Sequence, residues 1–258
     1  MLIRVILTAL ILQSLPVPAE PPEPNTITIA TGETPPYTSQ NIKHMGYMNH
    51  VVSRAFSKVG IQTTFVFMPW SRAYLEAKQG SFAATSYWFS DPRHKTHFYF
   101  SKPLSEENTV FFKRRVSLVG DWNNFDDVRR KQLKMGLTRG YTYTQETWRY
   151  AESRPDLVSI VNTDMQNLKM LMLKRIDAFP IEEVTGWYIL NKHFPQEQVK
   201  KLEIADEPLM TKSAHLFFPK SAERSQYYLE RFNQGLTEMA ISGELESMYE
   251  DLVLGEYH

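Results

Sequence analysis

From Thr26 to Ser101, short β-branched and apolar runs alternate with amphipathic helical segments, and this alternation restricts the fold more than any other feature of the chain. Thr26 to Thr31 reads as a strand, and Tyr47, Val51, Val52, Ala55, Phe56 and Val59 mark one helix face that Gly60 stops. Thr63 to Phe67 reads as a second strand. Ser71 caps a second helix that ends at Gly80, and Phe82 to Ser86 is a third strand. A βαβαβ order of this kind is the grammar of a mostly parallel sheet with helices packed on its faces.

The pattern resumes after Val110 to Arg114. Strands are expected at Lys134 to Leu137, Val158 to Val161, Asp177 to Ile181 and His215 to Phe218. Helices are expected at Thr144 to Glu152, Met165 to Leu173, Glu182 to Leu190, Ala222 to Ile241 and Glu244 to Leu252. Two βα blocks of this size predict an α/β fold with two lobes, each a mostly parallel sheet flanked by helices. Val110 to Arg114 and Ala214 to Phe218 read as strands crossing between the lobes, one out and one back, which gives a hinge and a cleft. The expected boundaries are 26–110 with 214–258 for a discontinuous first lobe and 111–213 for the second.

Residues 1–19 stand apart. Arg4 precedes the apolar run Val5 to Leu15, and Val17-Pro18-Ala19 offers a cleavage site, the composition of a secretory signal peptide. Export to the periplasm is therefore expected. The chain has no cysteine, so a disulfide framework is excluded and the fold must rest on its core. With 29 basic and 29 acidic side chains it carries no electrostatic footprint for nucleic acid. After the leader, no stretch reaches the 18 or so apolar residues that a membrane span needs.

If the strands are parallel, the loops at their carboxyl ends face one crevice, where ligands of open α/β sheets gather. Those loops present Glu33 and Tyr37, then Trp70, then Ser86, Trp88 and Arg93. The second half presents Arg139 to Thr142 and Glu182. An arginine for an anion, carboxylates for a cation, hydroxyls and aromatic walls make up the inventory of an amino-acid pocket. Each residue has a plainer reading. Arg93 can pair with Asp91 or Glu106, Trp70 and Trp88 can be packing residues, Thr142 can be a helix cap, and Glu182 can be a favourable charge in a first helical turn. His94 and His97 share a spacing but no third ligand, and no nucleophile motif or phosphate loop is present, so neither a metal, a cofactor nor a catalytic residue is assigned.

At these residues the chain resembles the family 3 extracellular solute-binding proteins, the periplasmic amino-acid receptors of ABC importers. The resemblance runs from Thr26 to about Leu252 and rests on Asp91-Pro92-Arg93 to Phe100-Ser101, Arg175 to Ala178, and Gly136-Leu137 with Gly140 to Gln145. It implies a type II periplasmic-binding fold and an amino acid or related small carboxylate captured in the cleft. It further implies a monomer that closes on its ligand, with the membrane permease of an importer as partner. Carried over, Arg93 takes the α-carboxylate with Thr142, Trp70 stacks on the ligand, Ser86 donates a hydrogen bond, and Glu182 stands where the family places an aspartate for the amine. The departures are the longer acid at 182, the indole at Trp88, which favours a flat or cationic group, and Thr34 where an aromatic is common. Two alternatives remain on the same fold: an enzyme like cyclohexadienyl dehydratase using Glu33 or Glu182, and a sensing subunit for a membrane receptor.

Overall fold

The computed structural model describes residues 26–116, 119–141 and 143–257. The expected signal peptide, residues 1–19, lies outside them. The chain order is β1 (Thr26–Thr31), α1 (Tyr47–Lys58), β2 (Gln62–Phe67), α2 (Trp70–Lys78), β3 (Ala84–Phe89), β4 (Phe98–Phe100) and β5 (Ser105–Arg114). Then come α3 (Phe125–Arg130), β6 (Met135–Thr138), α4 (Gln145–Ser153), β7 (Val158–Val161), α5 (Asp164–Met172) and β8 (Phe179–Glu182). The chain closes with α6 (Glu183–His193), α7 (Gln196–Val199), β9 (Leu202–Ile204), β10 (Met210–Pro219), α8 (Ser225–Ile241) and α9 (Glu244–Val253).

This is the mixed α/β fold the sequence predicts, with parallel pairing where βαβ units occur. β1 pairs in parallel with β2 and β3, and β6 with β7. The principal sheet runs β2-β1-β3-β10-β5-β8, and β10 and β5 are antiparallel to their neighbours within it. The two long strands thus carry one continuous path of hydrogen bonds across the molecule.

Both extend further than their apolar runs. β5 begins at Ser105, five residues before Val110, and β10 begins at Met210, five before His215. The segments Ser105-Glu-Glu-Asn-Thr109 and Met210-Thr-Lys-Ser-Ala214 lack the apolar alternation of a strand. They become strands by pairing with each other, Met210 opposite Thr109 through Ala214 opposite Ser105. Helix α2 also begins earlier than expected, at Trp70 after Pro69, and Ser71 does not cap it.

The apolar side chains collect in distinct clusters. Ile29, Val52, Phe56, Leu216 and Phe232 belong to one built wholly from residues 27–104 and 214–257. Phe111, Val128 and Leu137 belong to a second, and Phe112, Leu168, Phe179 and Leu190 to a third; both are drawn from residues 110–205. In the first cluster α8 lies directly on α1. A Cβ at Gly235 would come within 1.9 Å of the Ala55 carbonyl oxygen, so only glycine permits that approach.

Candidate functional site

Aromatic residues form one wall of the site. Trp70 opens α2 and lies over Gly32, where a Cβ would meet the indole at 2.5 Å. The Trp70 Nε1–H donates to the Glu33 carbonyl at 3.3 Å, which fixes the ring. Trp88, at the end of β3, meets Trp70 edge to face with centroids 5.2 Å apart and donates its own N–H to Thr85 Oγ1 at 3.0 Å. Tyr87 stacks on Tyr37 at 5.1 Å and meets Phe89 edge to face at 5.5 Å. These offset and perpendicular contacts are the arrangements ring quadrupoles favour.

The facing wall is set by a buried acid. Asp164, at the start of α5, accepts from Thr138 Oγ1 and from the Tyr141 hydroxyl, both at 2.6 Å. The Tyr143 hydroxyl accepts from the Thr138 N–H at 2.9 Å. Together these bonds hold the loop after β6, so that Gly140, Tyr141 and Tyr143 face Trp70, Tyr87, Trp88 and Phe89 across a cavity of about 360 Å³.

Two carboxyls close the cavity's floor. Glu107 of β5 is buried, 5 % exposed, and Glu182, the last residue of β8, lies beside it. The Tyr37 hydroxyl and both carboxyls are close enough to act on one another's titration. The same pair also lines a second cavity of about 250 Å³ on the other side, with Tyr37, Glu106 and Glu183, so the pair is the partition between the two. Burial and the neighbouring Glu182 push the Glu107 carboxyl well above the usual carboxylate range. Burial also raises Glu182, but Glu182 caps α6 by accepting from the N–H groups of Val184 at 2.9 Å and Thr185 at 2.7 Å. Those donors and the helix N-terminus favour its ionised form. Of the two, Glu107 is thus the carboxyl whose surroundings favour the proton and Glu182 the one whose surroundings favour the charge.

One cation lines the same cavity. Lys212 stands directly opposite Glu107 in the β5–β10 ladder. Its ammonium lies 5.6 Å above the Phe89 ring, and burial lowers its pKa from the ordinary lysine value.

Of the residues the sequence singled out, the cavity gathers Trp70, Trp88 and Glu182, and Tyr37 lies behind the carboxyl pair. Three others lie elsewhere. Arg93 is at the surface, its side chain 81 % exposed, and its Nε and Nη2 hold both carboxylate oxygens of Asp91 at 2.7–3.1 Å. Arg93 also draws the Asp91 carboxyl far below the usual range. Ser86 is fully buried and donates to Asn49 Oδ1 at 2.9 Å, beneath the cavity. Glu33 is exposed and accepts from the Gln40 N–H at 3.1 Å, and it is not among the residues lining the cavity. Thr142 lies outside the described residues. His94 shares a hydrogen bond with the Tyr74 hydroxyl at 2.9 Å. Glu107 and Lys212 were not singled out. The one available signal was the charge spacing in two polar segments that the ladder turns into strands.

The family of bacterial extracellular solute-binding proteins, family 3, matches residues 27–253, and the chain belongs to it. No curated protein matches this sequence. Solved structures share the fold at low identity. The ligand-binding core of GluR0 from Nostoc punctiforme in complex with L-glutamate has a TM-score of 0.65 at 18% identity, covering 88% of this chain and 98% of that one. The amino-acid ABC transporter substrate-binding protein AbpA from Streptococcus pneumoniae, bound to L-arginine, has a TM-score of 0.66 at 18% identity, covering 91% and 97%. A histidine kinase sensor domain with similarity to periplasmic binding proteins has 0.67 at 18% identity, covering 89% and 96%. At these identities the likeness is one of fold.

Proposed function

We propose that this family 3 member is an exported receptor that captures a small amine-bearing solute, an amino acid or a close relative, in the aromatic cavity and delivers it to a membrane importer. The cavity carries the reading. It sets rings from both halves of the chain against a buried carboxyl pair, and about 360 Å³ suits a ligand of amino-acid size. Residues 26–110 with 214–258 and residues 111–213 act as two lobes in this reading, each with its own apolar clusters. β5 and β10 are the crossings about which they close. No bond is made or broken; affinity comes from burying the ligand between Trp70, Trp88 and the Glu107–Glu182 pair.

Thermal unfolding of the chain, stripped of ligand by denaturation and refolding, tests this against amino acids, polyamines and small carboxylates. A true ligand at about 1,000 times its dissociation constant adds roughly 4 kcal/mol, a shift of roughly 8–16 °C for a chain of this size. A panel in which no compound moves the transition counts against the reading.

The protonated carboxyl at Glu107 favours one second reading, an enzyme that uses a cavity acid to assist elimination from a cyclohexadienyl acid. Incubation with prephenate or arogenate, followed by ultraviolet absorbance, separates the two: turnover supports the enzyme, and binding without turnover the receptor.

A further inference from the structure

The carboxyl partition has a second side. The cavity of about 250 Å³ behind it adjoins another of about 540 Å³, and the two share Glu106, Asn108 and Tyr249 as walls. Together they form a groove floored by β5. Along one side α9 sets Leu245, Tyr249 and Val253, at the four-residue spacing of a helix face. Along the other, over the smaller cavity, α6 sets Val184 and Trp187. Tyr249 is 43 % exposed and Val253 62 %, so apolar surface stands open at the rim.

The groove carries charge of one sign. Glu106 comes from the floor, Glu183 from the first turn of α6 and Glu246 from the first turn of α9. No lysine, arginine or histidine lines either cavity. Among the described residues none of these three carboxyls forms an ion pair, whereas Glu244 of the same helix α9 holds both Arg54 and Lys58. Glu183 is half-buried, and burial raises its carboxyl above the usual range with no cation to offset it. Trp187 and Tyr249 line the same groove. Acids beside aromatic rings suit lysine or arginine, whose charged head takes the carboxylate while its stem or guanidinium plane covers the ring.

We propose that this groove docks a segment of a partner protein that carries lysine or arginine among apolar residues, making the β5–α6–α9 face an interaction surface separate from the aromatic cavity. Charge complementarity names the occupant, and the open rings and aliphatic groups of the rim give it apolar area to bury. The three acids stand on three different elements over two cavities. A chain segment with several basic side chains meets all of them, whereas a small cation meets one or two. A field of one sign also draws such a segment in. The proposal concerns the back of the partition and does not rest on the receptor reading.

Fluorescence anisotropy tests it with a labelled peptide of lysine, leucine and alanine, beside the same peptide with glutamate in place of lysine. The wild-type chain is compared with two triple variants that remove equal charge. One carries Glu106→Gln, Glu183→Gln and Glu246→Gln in the groove. The other carries Glu152→Gln, Glu207→Gln and Glu223→Gln, exposed positions outside both cavities. The lysine peptide should bind the wild type and the glutamate peptide should not. The groove variant should weaken binding about 10-fold or more, and the outside variant less than about 2-fold. Val253→Lys, which leaves every acid in place, should weaken it too, and thermal unfolding checks that each variant is folded. Equal losses in the two triple variants, or no binding of the lysine peptide, overturn the proposal and leave the receptor reading as it stands. Displacement of the peptide by spermidine at equal charge concentration would make the groove a small-cation site. A wild-type dimer in sedimentation that the groove variant abolishes would make the occupant a second copy of this chain. Either result overturns the proposal as well.

Discussion

The turn carrying Asp91 and Arg93 and the ladder carrying Glu107 and Lys212 each present one acid and one base. The two regions use them in opposite ways. Asp91 caps a short helical turn, and its carboxylate then takes the guanidinium two residues along. Both charges are satisfied within three residues of chain and remain in solvent. Glu107 and Lys212 are about a hundred residues apart in sequence and adjacent across two strands, half to fully buried, and satisfied by neighbours other than each other. A locally closed ion pair has little left to offer a ligand, whereas a charge held apart by a sheet does.

The largest expected effect separates the two regions by pH. Glu107 titrates above its unfolded value, so the folded state binds more protons than the unfolded one once pH exceeds about 5. Stability should then fall as pH rises from about 5 towards 8, by roughly 2–4 kcal/mol from this one group. Glu107→Gln should flatten the slope and raise stability at pH 8, as read by urea unfolding at several pH values. A slope that survives the substitution would mean that Glu107 is not the proton carrier. Next in size, Glu182→Ala removes an acceptor from two helix N–H groups and should cost about 1–2 kcal/mol at pH 5, where Glu107 is neutral in the folded protein. A change below about 0.3 kcal/mol would show that water replaces the cap. Smallest is Arg93→Ala. Its exposed pair should leave the unfolding midpoint in the same assay where it is, and a clear loss of stability would undo the contrast between the two regions.

The contrast also explains what could be read from the sequence. β1, α1, β2 and β7 lie within a residue or so of where periodicity predicts, because each buries an apolar face that marks itself along the chain. Trp70 could be placed at the cavity because it follows β2, and Trp88 and Glu182 because they lie at the carboxyl ends of β3 and β8. The first five residues of β5 and the first four of β10 could not, since their strand character comes from pairing with each other and not from their own composition. Glu107 and Lys212 fall in those stretches, where no apolar periodicity marks a strand. Arg93 shows the converse. Its place after a strand points to the crevice, but here Asp91, two residues earlier, takes the Nε–Nη2 edge of the guanidinium.

Glu182 holds α6 in place while its other side forms part of the cavity floor. A substitution there that retunes ligand choice also unseats a helix, so any lineage exploring new solutes meets a stability threshold at that position. Positions 107 and 212 carry no such burden, because their ladder hydrogen bonds are made by backbone atoms and persist whatever the side chain. Among the cavity-lining residues of relatives, 107 and 212 should therefore vary more freely than 182.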